Sequence, residues 1–245
     1  MNKLHIIMPM AGEGSRFMKE GYLTPKPLLT IDGMFFFMKA LSSLENLETH
    51  YDEVKYTFIV RQEHINKFHI DKIIKDMIGF QSNVISVEKT TRGAVETCLL
   101  AEPFIEDDEN IIIMDCDLYM QSTELNVCGF SGLYDGMVLS FESTLPKYSY
   151  AVVGPDGLVI KTAEKNPIST HALAGVYCFH DGATFKKYAK YLIANNSVKN
   201  INEYYVSLVY NKMIEDGLLI KLMRTNDYYS FGTPEEYENL TFDEK

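Results

Sequence analysis

The sequence predicts one α/β domain of three layers, with helices on both faces of a predominantly parallel mixed sheet. Three observations predict it. Short apolar runs alternate with helix-spaced segments through the first half of the chain. At 245 residues the chain suits a single domain at the upper edge of ordinary size, and 46% hydrophobic residues are enough for a full core. No linker, internal repeat or low-complexity stretch divides it.

The elements follow in order. Leu4 to Pro9 is a short apolar run closed by a glycine-containing loop, the pattern of a buried first strand. Met34 to Leu47 reads as a helix, Tyr56 to Val60 as a β-branched and aromatic strand, and residues 63–78 as a second helix. Val84 to Val87, Ala94 to Ala101 and Asn110 to Met114 continue as strand, helix and strand. Beyond residue 135 the runs at 137–142, 149–153, 158–163 and 172–179 are strand-like and separated by turn residues such as Gly154-Pro155-Asp156-Gly157. Helices return at 183–194 and 202–216, and a strand follows at 218–223.

Charge narrows the function. A formal net charge of −11 and a pI near 5.0 repel a phosphate backbone, which argues against nucleic-acid binding. An anionic ligand would need a locally positive pocket, with a divalent cation to help. Cys98, Cys116, Cys128 and Cys178 form no CxxC pair and read as buried thiols in a reducing compartment. The N-terminal apolar run is too short for a signal sequence or membrane span, so the sequence reads as a cytoplasmic protein without membrane insertion. The six histidines show no metal-ligand spacing and read as structural, and Phe35–Phe37 and Tyr228–Tyr229 read as core.

In an open α/β sheet, ligands bind outside the carboxyl ends of the strands. Two stretches lie there. Met10-Ala11-Gly12-Glu13-Gly14-Ser15-Arg16-Phe17 follows the first strand, and its glycines let successive amides approach phosphate oxygens. Gly-x-Gly alone also serves as a tight turn. Phe17 stands where a dinucleotide fingerprint wants a small residue, and Gly-Lys-Ser/Thr of a P-loop is absent. Arg16 and Lys26, the latter between Pro25 and Pro27, set two cations beside the glycines. The second stretch is Asp115-Cys116-Asp117, which reads either as a polar strand end or as a hard-oxygen metal site.

MPMAGEGSRF followed by TPKPLLTIDG resembles the signature of the nucleotidylyltransferase family, which includes sugar-1-phosphate nucleotidylyltransferases and CTP-dependent phosphocholine-type enzymes. In the same order as the family, Thr91-Arg92-Gly93-Ala94 is similar to the base-side loop and Asp115-Cys116-Asp117 to the metal-binding strand end. Glu164-Lys165 resembles the Glu-Lys-Pro segment, Ala174-Gly175-Val176-Tyr177 the acceptor-pocket strand, and Gly232-Thr233-Pro234 the C-terminal turn. Two departures stand out: Asn166 replaces the proline of Glu-Lys-Pro, and Ser230 stands where many relatives carry an acid.

The resemblance implies a Rossmann-like fold, with a nucleotide-binding half over 1–135 and an acceptor-binding half over 136–245. It implies a pyrophosphate-releasing transfer from a nucleoside triphosphate to a phosphorylated small molecule, assisted by Mg²⁺. A sugar 1-phosphate is the first acceptor to consider, a non-sugar phosphate such as phosphocholine the main variant, and Gly-Ser-Arg-Phe tilts the base toward cytosine. Met10, Ala11, Gly12, Gly14, Ser15, Thr91, Gly93, Ala94 and Asp115 would bind nucleotide, and Arg16 and Lys26 would neutralise charge in catalysis. Asp117 would hold the metal, while Glu164, Lys165, Gly175 and Glu203 would face the acceptor. A DxD-type glycosyltransferase and a non-catalytic nucleotide-sugar sensor account for part of the same pattern, and homo-oligomerisation stays open.

Overall fold

The computed structural model describes residues 1–128, 130, 132–195 and 203–240, with Cys128 by its backbone alone. In chain order, β1 (Lys3–Met10) leads to α1 (Ser15–Lys19), the hairpin β2 (Thr30–Ile31) and β3 (Met34–Phe35), and then α2 (Phe36–Ser42) and α3 (Glu45–Glu48). β4 (Glu53–Arg61), α4 (Gln62–Phe68), α5 (Ile70–Ile78), β5 (Asn83–Val87), α6 (Ala94–Leu99) and β6 (Asn110–Met114) complete the alternating part. β7 (Leu118–Gln121), α7 (Thr123–Cys128), β8 (Gly136–Glu142), β9 (Ser149–Val153), β10 (Val159–Glu164) and β11 (His171–Phe179) follow. α8 (Gly182–Asn195), α9 (Val209–Glu215), β12 (Ile220–Arg224), β13 (Asp227–Ser230) and α10 (Pro234–Glu238) end the described chain.

The central sheet runs β10-β9-β11-β6-β1-β4-β5, with β8 joined to β11 and β12 joined to β8. β5, β4, β1 and β6 are parallel neighbours, and β11 runs antiparallel to β6, so one sheet crosses from the first half of the sequence into the second. Strands buried on both faces read as continuous apolar runs, and alternate residues serve opposite layers. Thus Ile112 and Met114 join the core under α2 and α5, while Ile111 and Ile113 join the core under α6, α8 and α9. A third, aromatic cluster of Phe17, Phe36 and Phe231 lies beside the sheet, with Tyr22 and Tyr237 packed on it.

Three helices predicted as continuous are broken. Met34 and Phe35 belong to a hairpin instead, because Asp32 (φ 51°) and Gly33 (φ 78°) form the two-residue turn that Asp-Gly favours. The helix over 63–78 splits at His69, whose φ of 53° is left-handed. The helix over 202–216 begins only at Val209, after a 3₁₀ turn at Val206–Leu208. Glu203 and Tyr204 therefore precede the helix, with Tyr204 bonded through its backbone to residues 92 and 95. Residue 202 and the Cys128 side chain lie outside the described residues. Cys98, Cys116 and Cys178 are free and buried.

His5 lies in the core, away from the carboxyl ends of the strands. Its Nδ1 is 2.8 Å from Glu109 Oε1 and its Nε2 is 2.7 Å from Thr57 Oγ1. No helix among the described residues is long and apolar enough to cross a membrane.

Close packing at the start of α8 gives a test of the fold. Alanine is the better helix former by about 1 kcal/mol. A Cβ at Gly182, however, would lie 2.0 Å from the Glu106 carbonyl oxygen and 2.5 Å from Ile105 Cγ2. Overpacking of this kind costs about 1–3 kcal/mol, so the clash outweighs the propensity. Gly182→Ala should lower the midpoint of thermal unfolding, by about 2–4 °C per kcal/mol in a chain of this size. An unchanged or raised midpoint would show that residues 105–106 yield without cost.

Candidate active site

β1 ends in the glycine loop, and Gly14 takes a left-handed φ of 64° as it caps α1. That turn carries Arg16 to the cleft while Phe17 enters the aromatic cluster. Phe17 meets Tyr22 edge-on at a 5.3 Å centroid distance, and Phe36 meets Phe231 at 4.6 Å. The large residue that spoils a dinucleotide fingerprint therefore anchors the loop.

Two cavities open along the carboxyl ends of the sheet. One, of about 340 Å³, is lined by Ala11, Gly12, Gly14, Ser15, Thr91, Gly93, Ala94, Asp115 and Glu203. The other, of about 410 Å³, is lined by Arg16, Asp115, Asp117, Glu164, Lys165, Gly175 and Glu203 among others. Ala94, Asp115 and Glu203 line both, so the two spaces adjoin at these residues. Met10 lines neither; its side chain is buried in the core and only its place in the chain leads into the loop. Asp227 lines neither cavity and lies opposite Gln121 in the β7–β13 ladder.

Gly93 positions the wall of the first cavity. Tyr204 N–H donates to Arg92 O at 2.9 Å, and Val95 N–H donates to Tyr204 O at 3.0 Å. A Cβ on Gly93 would fall 2.3 Å from Tyr204 N, and its φ of 142° is already one that side chains rarely adopt. This close approach brings Glu203 to the cleft. Thr97 and Thr91 hydroxyls bond each other at 2.5 Å and both reach Gly93 O at 3.1 Å, fixing the turn beneath.

Lys26 and Asp117 meet at 2.7 Å. Burial alone would lower the Lys26 ammonium, yet the Asp117 carboxylate beside it, with help from Cys116 and Asp115, holds it above the usual lysine range. Burial, then the Asp117 charge, pushes Asp115 well above the usual carboxylate range, and Lys26 opposes that shift. The backbone fixes both acids. Asp115 N–H donates to Gly175 O at 3.0 Å, and Phe231 N–H donates to Asp117 O at 2.9 Å. A Cβ at Gly175 would lie 2.7 Å from Asp115 Oδ2, and one at Gly232 would lie 2.5 Å from Asp117 Oδ2.

Among the described residues no three His, Cys, Asp or Glu side chains converge as a closed metal cage. Two adjacent carboxylates at an open cleft instead suit a hard cation that keeps waters and phosphate oxygens in its shell, as Mg²⁺ does. Asp115 and Asp117 fit that role.

On the second cavity Lys165 has a left-handed φ of 52°, and its N–H donates to Tyr148 O at 3.0 Å. Its ammonium donates to Tyr205 Oη and lies 4.7 Å from that ring's centroid. Glu164 accepts from Ser149 and Ser207 hydroxyls, and burial raises its carboxyl despite those bonds. Sequence reasoning missed Thr90 and Glu13 on the first cavity and Lys147, Tyr148, Tyr228 and Glu236 on the second. Tyr228, read as core, lines the second cavity and stacks on Phe141 at 3.9 Å. The reading of Phe36 and Phe37 as core agrees with their complete burial.

No family model matches the chain. Solved structures do. A nucleoside-diphosphate-sugar pyrophosphorylase from Vibrio cholerae RC9 superposes with a TM-score of 0.80 at 26% identity, covering 96% of this chain and 98% of its own. An inositol-1-phosphate CTP transferase from T. maritima gives 0.71 at 14% identity, covering 95% and 90%. A protein from Bacillus anthracis assigned as a glucose-1-phosphate thymidylyltransferase, in complex with a sucrose, gives 0.76 at 18% identity, covering 98% and 97%. The second and third show the fold alone, whereas the first adds sequence likeness over nearly the whole of both chains. Fold and motif order together define an enzyme of the nucleotidyltransferase type.

Replacing Gly93 tests the wall it forms. Gly93→Ala should push residues 203–205 off the loop and weaken nucleoside triphosphate binding about tenfold in titration calorimetry. Unaltered affinity in a folded variant would place the nucleotide elsewhere.

Proposed function

We propose that the chain transfers a nucleoside monophosphate from a nucleoside triphosphate to a phosphorylated small molecule, with Mg²⁺, and releases pyrophosphate. One observation carries this reading: two cavities of comparable size meet at Asp115, and Asp117, on the second of them, is paired with Lys26. The first takes the nucleotide and the second the acceptor, so residues 1–135 and 136–245 act as two functional halves of one domain. A sugar 1-phosphate is the first acceptor to try, and CTP the first nucleotide.

In the reaction an oxygen of the acceptor phosphate attacks the α-phosphorus, a new P–O bond forms, and the bond to the β-phosphate oxygen breaks. The acceptor phosphate is already ionised near neutral pH, so no strong general base is needed, and positioning and charge dominate. Amides around Gly12 and Gly14 offer donors to the phosphates. Arg16, exposed at the mouth of the cleft, and Lys26 are the cations beside that loop. Lys26 is held by Asp117 before substrate arrives, so it waits charged at the reacting end. Asp115 and Asp117 are the residues that would hold Mg²⁺, whose chemistry when bound is to offset negative charge on phosphate oxygens. Lys165, with its backbone fixed by Tyr148, orients the acceptor phosphate.

The deciding experiment is a matrix of CTP, UTP, dTTP, GTP and ATP against phosphorylated acceptors, read by pyrophosphate release. No release from any pair would end the proposal.

The two halves predict different kinetics. Lys26→Ala and Arg16→Ala should each lower turnover by about two orders of magnitude, the usual scale for a lost charge-stabilising donor. Lys165→Ala should raise the acceptor KM and slow attack while nucleotide affinity without acceptor stays near normal. If that variant loses nucleotide affinity and keeps its acceptor KM, Lys165 belongs to the other substrate.

A further inference from the structure

The second cavity is rich in tyrosine and carboxylate, a composition that fits two unlike acceptors. A quaternary ammonium uses aromatic faces and unbalanced negative charge. A hydroxyl-rich ring uses side chains that both donate and accept. The arrangement of the lining separates them.

Aromatic faces on this side already have occupants. The Lys147 ammonium lies 5.0 Å from the Tyr148 ring centroid and the Lys165 ammonium 4.7 Å from that of Tyr205. Tyr228 stacks on Phe141 with rings 15° apart. Two of the carboxylates on this side are partnered as well. Lys147 Nζ pairs with Glu236 Oε1 at 2.5 Å, and Glu164 accepts from two serine hydroxyls. An incoming trimethylammonium would meet two resident ammoniums, each already set over a tyrosine ring of the lining.

From this geometry we infer that Lys147 and Glu236 form a hydroxyl-reading pair that selects a hydroxylated phosphate ester, a sugar or polyol phosphate, over a quaternary-ammonium phosphate. A hydroxyl is at once donor and acceptor. Set at this pair, it accepts from the Lys147 ammonium and donates to the Glu236 carboxylate, so neither charge loses a partner. The pair is held for the purpose. Glu236 is fixed at the start of α10 by the N-cap residue Thr233: Glu236 N–H donates to Thr233 Oγ1 at 3.2 Å and the Thr233 hydroxyl donates to Glu236 Oε2 at 3.1 Å. Lys147 sits next to Tyr148, whose carbonyl accepts from the backbone of Lys165. Acceptor phosphate and acceptor hydroxyl would thus be gripped from one stretch of backbone at a set spacing. Ser230, where an acid is usual in relatives, also bonds Glu236 and lines the same cavity, so this end is organised around the pair.

The inference rests on the nucleotidyl-transfer reading for the name of the cavity, so binding and turnover are read separately. Ligand-observed NMR titrations of the full chain with glucose 1-phosphate, inositol 1-phosphate and phosphocholine, in the presence of CTP, read the inference. Pyrophosphate release from the same samples reads the reaction. At least one hydroxylated probe should bind about tenfold or more tightly than phosphocholine, the scale of a charge-assisted hydrogen bond. Glu236→Gln keeps an oxygen for the Thr233 hydroxyl while removing the charge, and Lys147→Met preserves the chain length. Each should erase most of that preference, with CTP affinity unchanged as the control for folding. Phosphocholine binding as tightly as both hydroxylated probes, no binding of the hydroxylated probes, or a preference intact in both variants overturns the inference. Selective binding without pyrophosphate release would leave the inference standing and remove the reaction.

Discussion

Two carboxylates two residues apart at the end of a buried strand repel each other, and the rest of the site depends on how that repulsion is contained. Asp115 and Asp117 have no room to separate. Gly175 and Gly232 press on them from β11 and from the turn after β13, at distances that only a missing Cβ allows. Two backbone hydrogen bonds, to Gly175 O and from Phe231 N–H, fix the chain between those glycines. What remains is charge, and Lys26 supplies the counter-charge from a stretch stiffened by Pro25 and Pro27. A metal ion approaching Asp117, or a phosphate approaching Lys26, must compete with that pairing, so these side chains are organised before any ligand arrives.

The same constraint explains why distant segments are built as one body. The glycine loop and the C-terminal turn lie more than 200 residues apart in sequence. Phe17 comes from the first and Phe231 from the second, and Phe36 and Tyr237 close the cluster between them. Burying large aromatic rings is among the stronger local contributions a small surface cluster can make. It holds Arg16, one residue before Phe17, and Gly232, one residue after Phe231, in register across the cleft. An apolar contact thus sets the geometry of a charged site.

Much of this was legible in sequence because it is written in short patterns. The strands at Asn110–Met114 and 149–153 follow from apolar run length, and the glycine loop and the paired aspartates mark the carboxyl edge. The Asp32-Gly33 hairpin was equally legible, but the helix-like apolar spacing after it masked the turn. The segment at 203–205 was not. Its extended form comes from backbone pairing with residues 92 and 95, a contact across more than 100 positions that no local preference encodes. Lys147 and Glu236 escaped for the same reason: each reads as an ordinary surface charge until the fold brings them to 2.5 Å.

The two cavities differ in what builds them, and that difference bears on divergence. The first is made largely of glycine, alanine and threonine around a loop, where little but backbone faces the space. Such a wall tolerates few changes, because a side chain added at Gly93 or Gly14 meets backbone or a disfavoured φ. The second is made mostly of side chains drawn from β10, β11, β13, α10 and the loop before β9, and those on the loop and α10 lie outside the central sheet. Function is carried by sites grafted on folds rather than by the fold itself. The second cavity, lined mostly by side chains, is accordingly the place where a change of residue alters the chemistry of the site with least strain on the backbone.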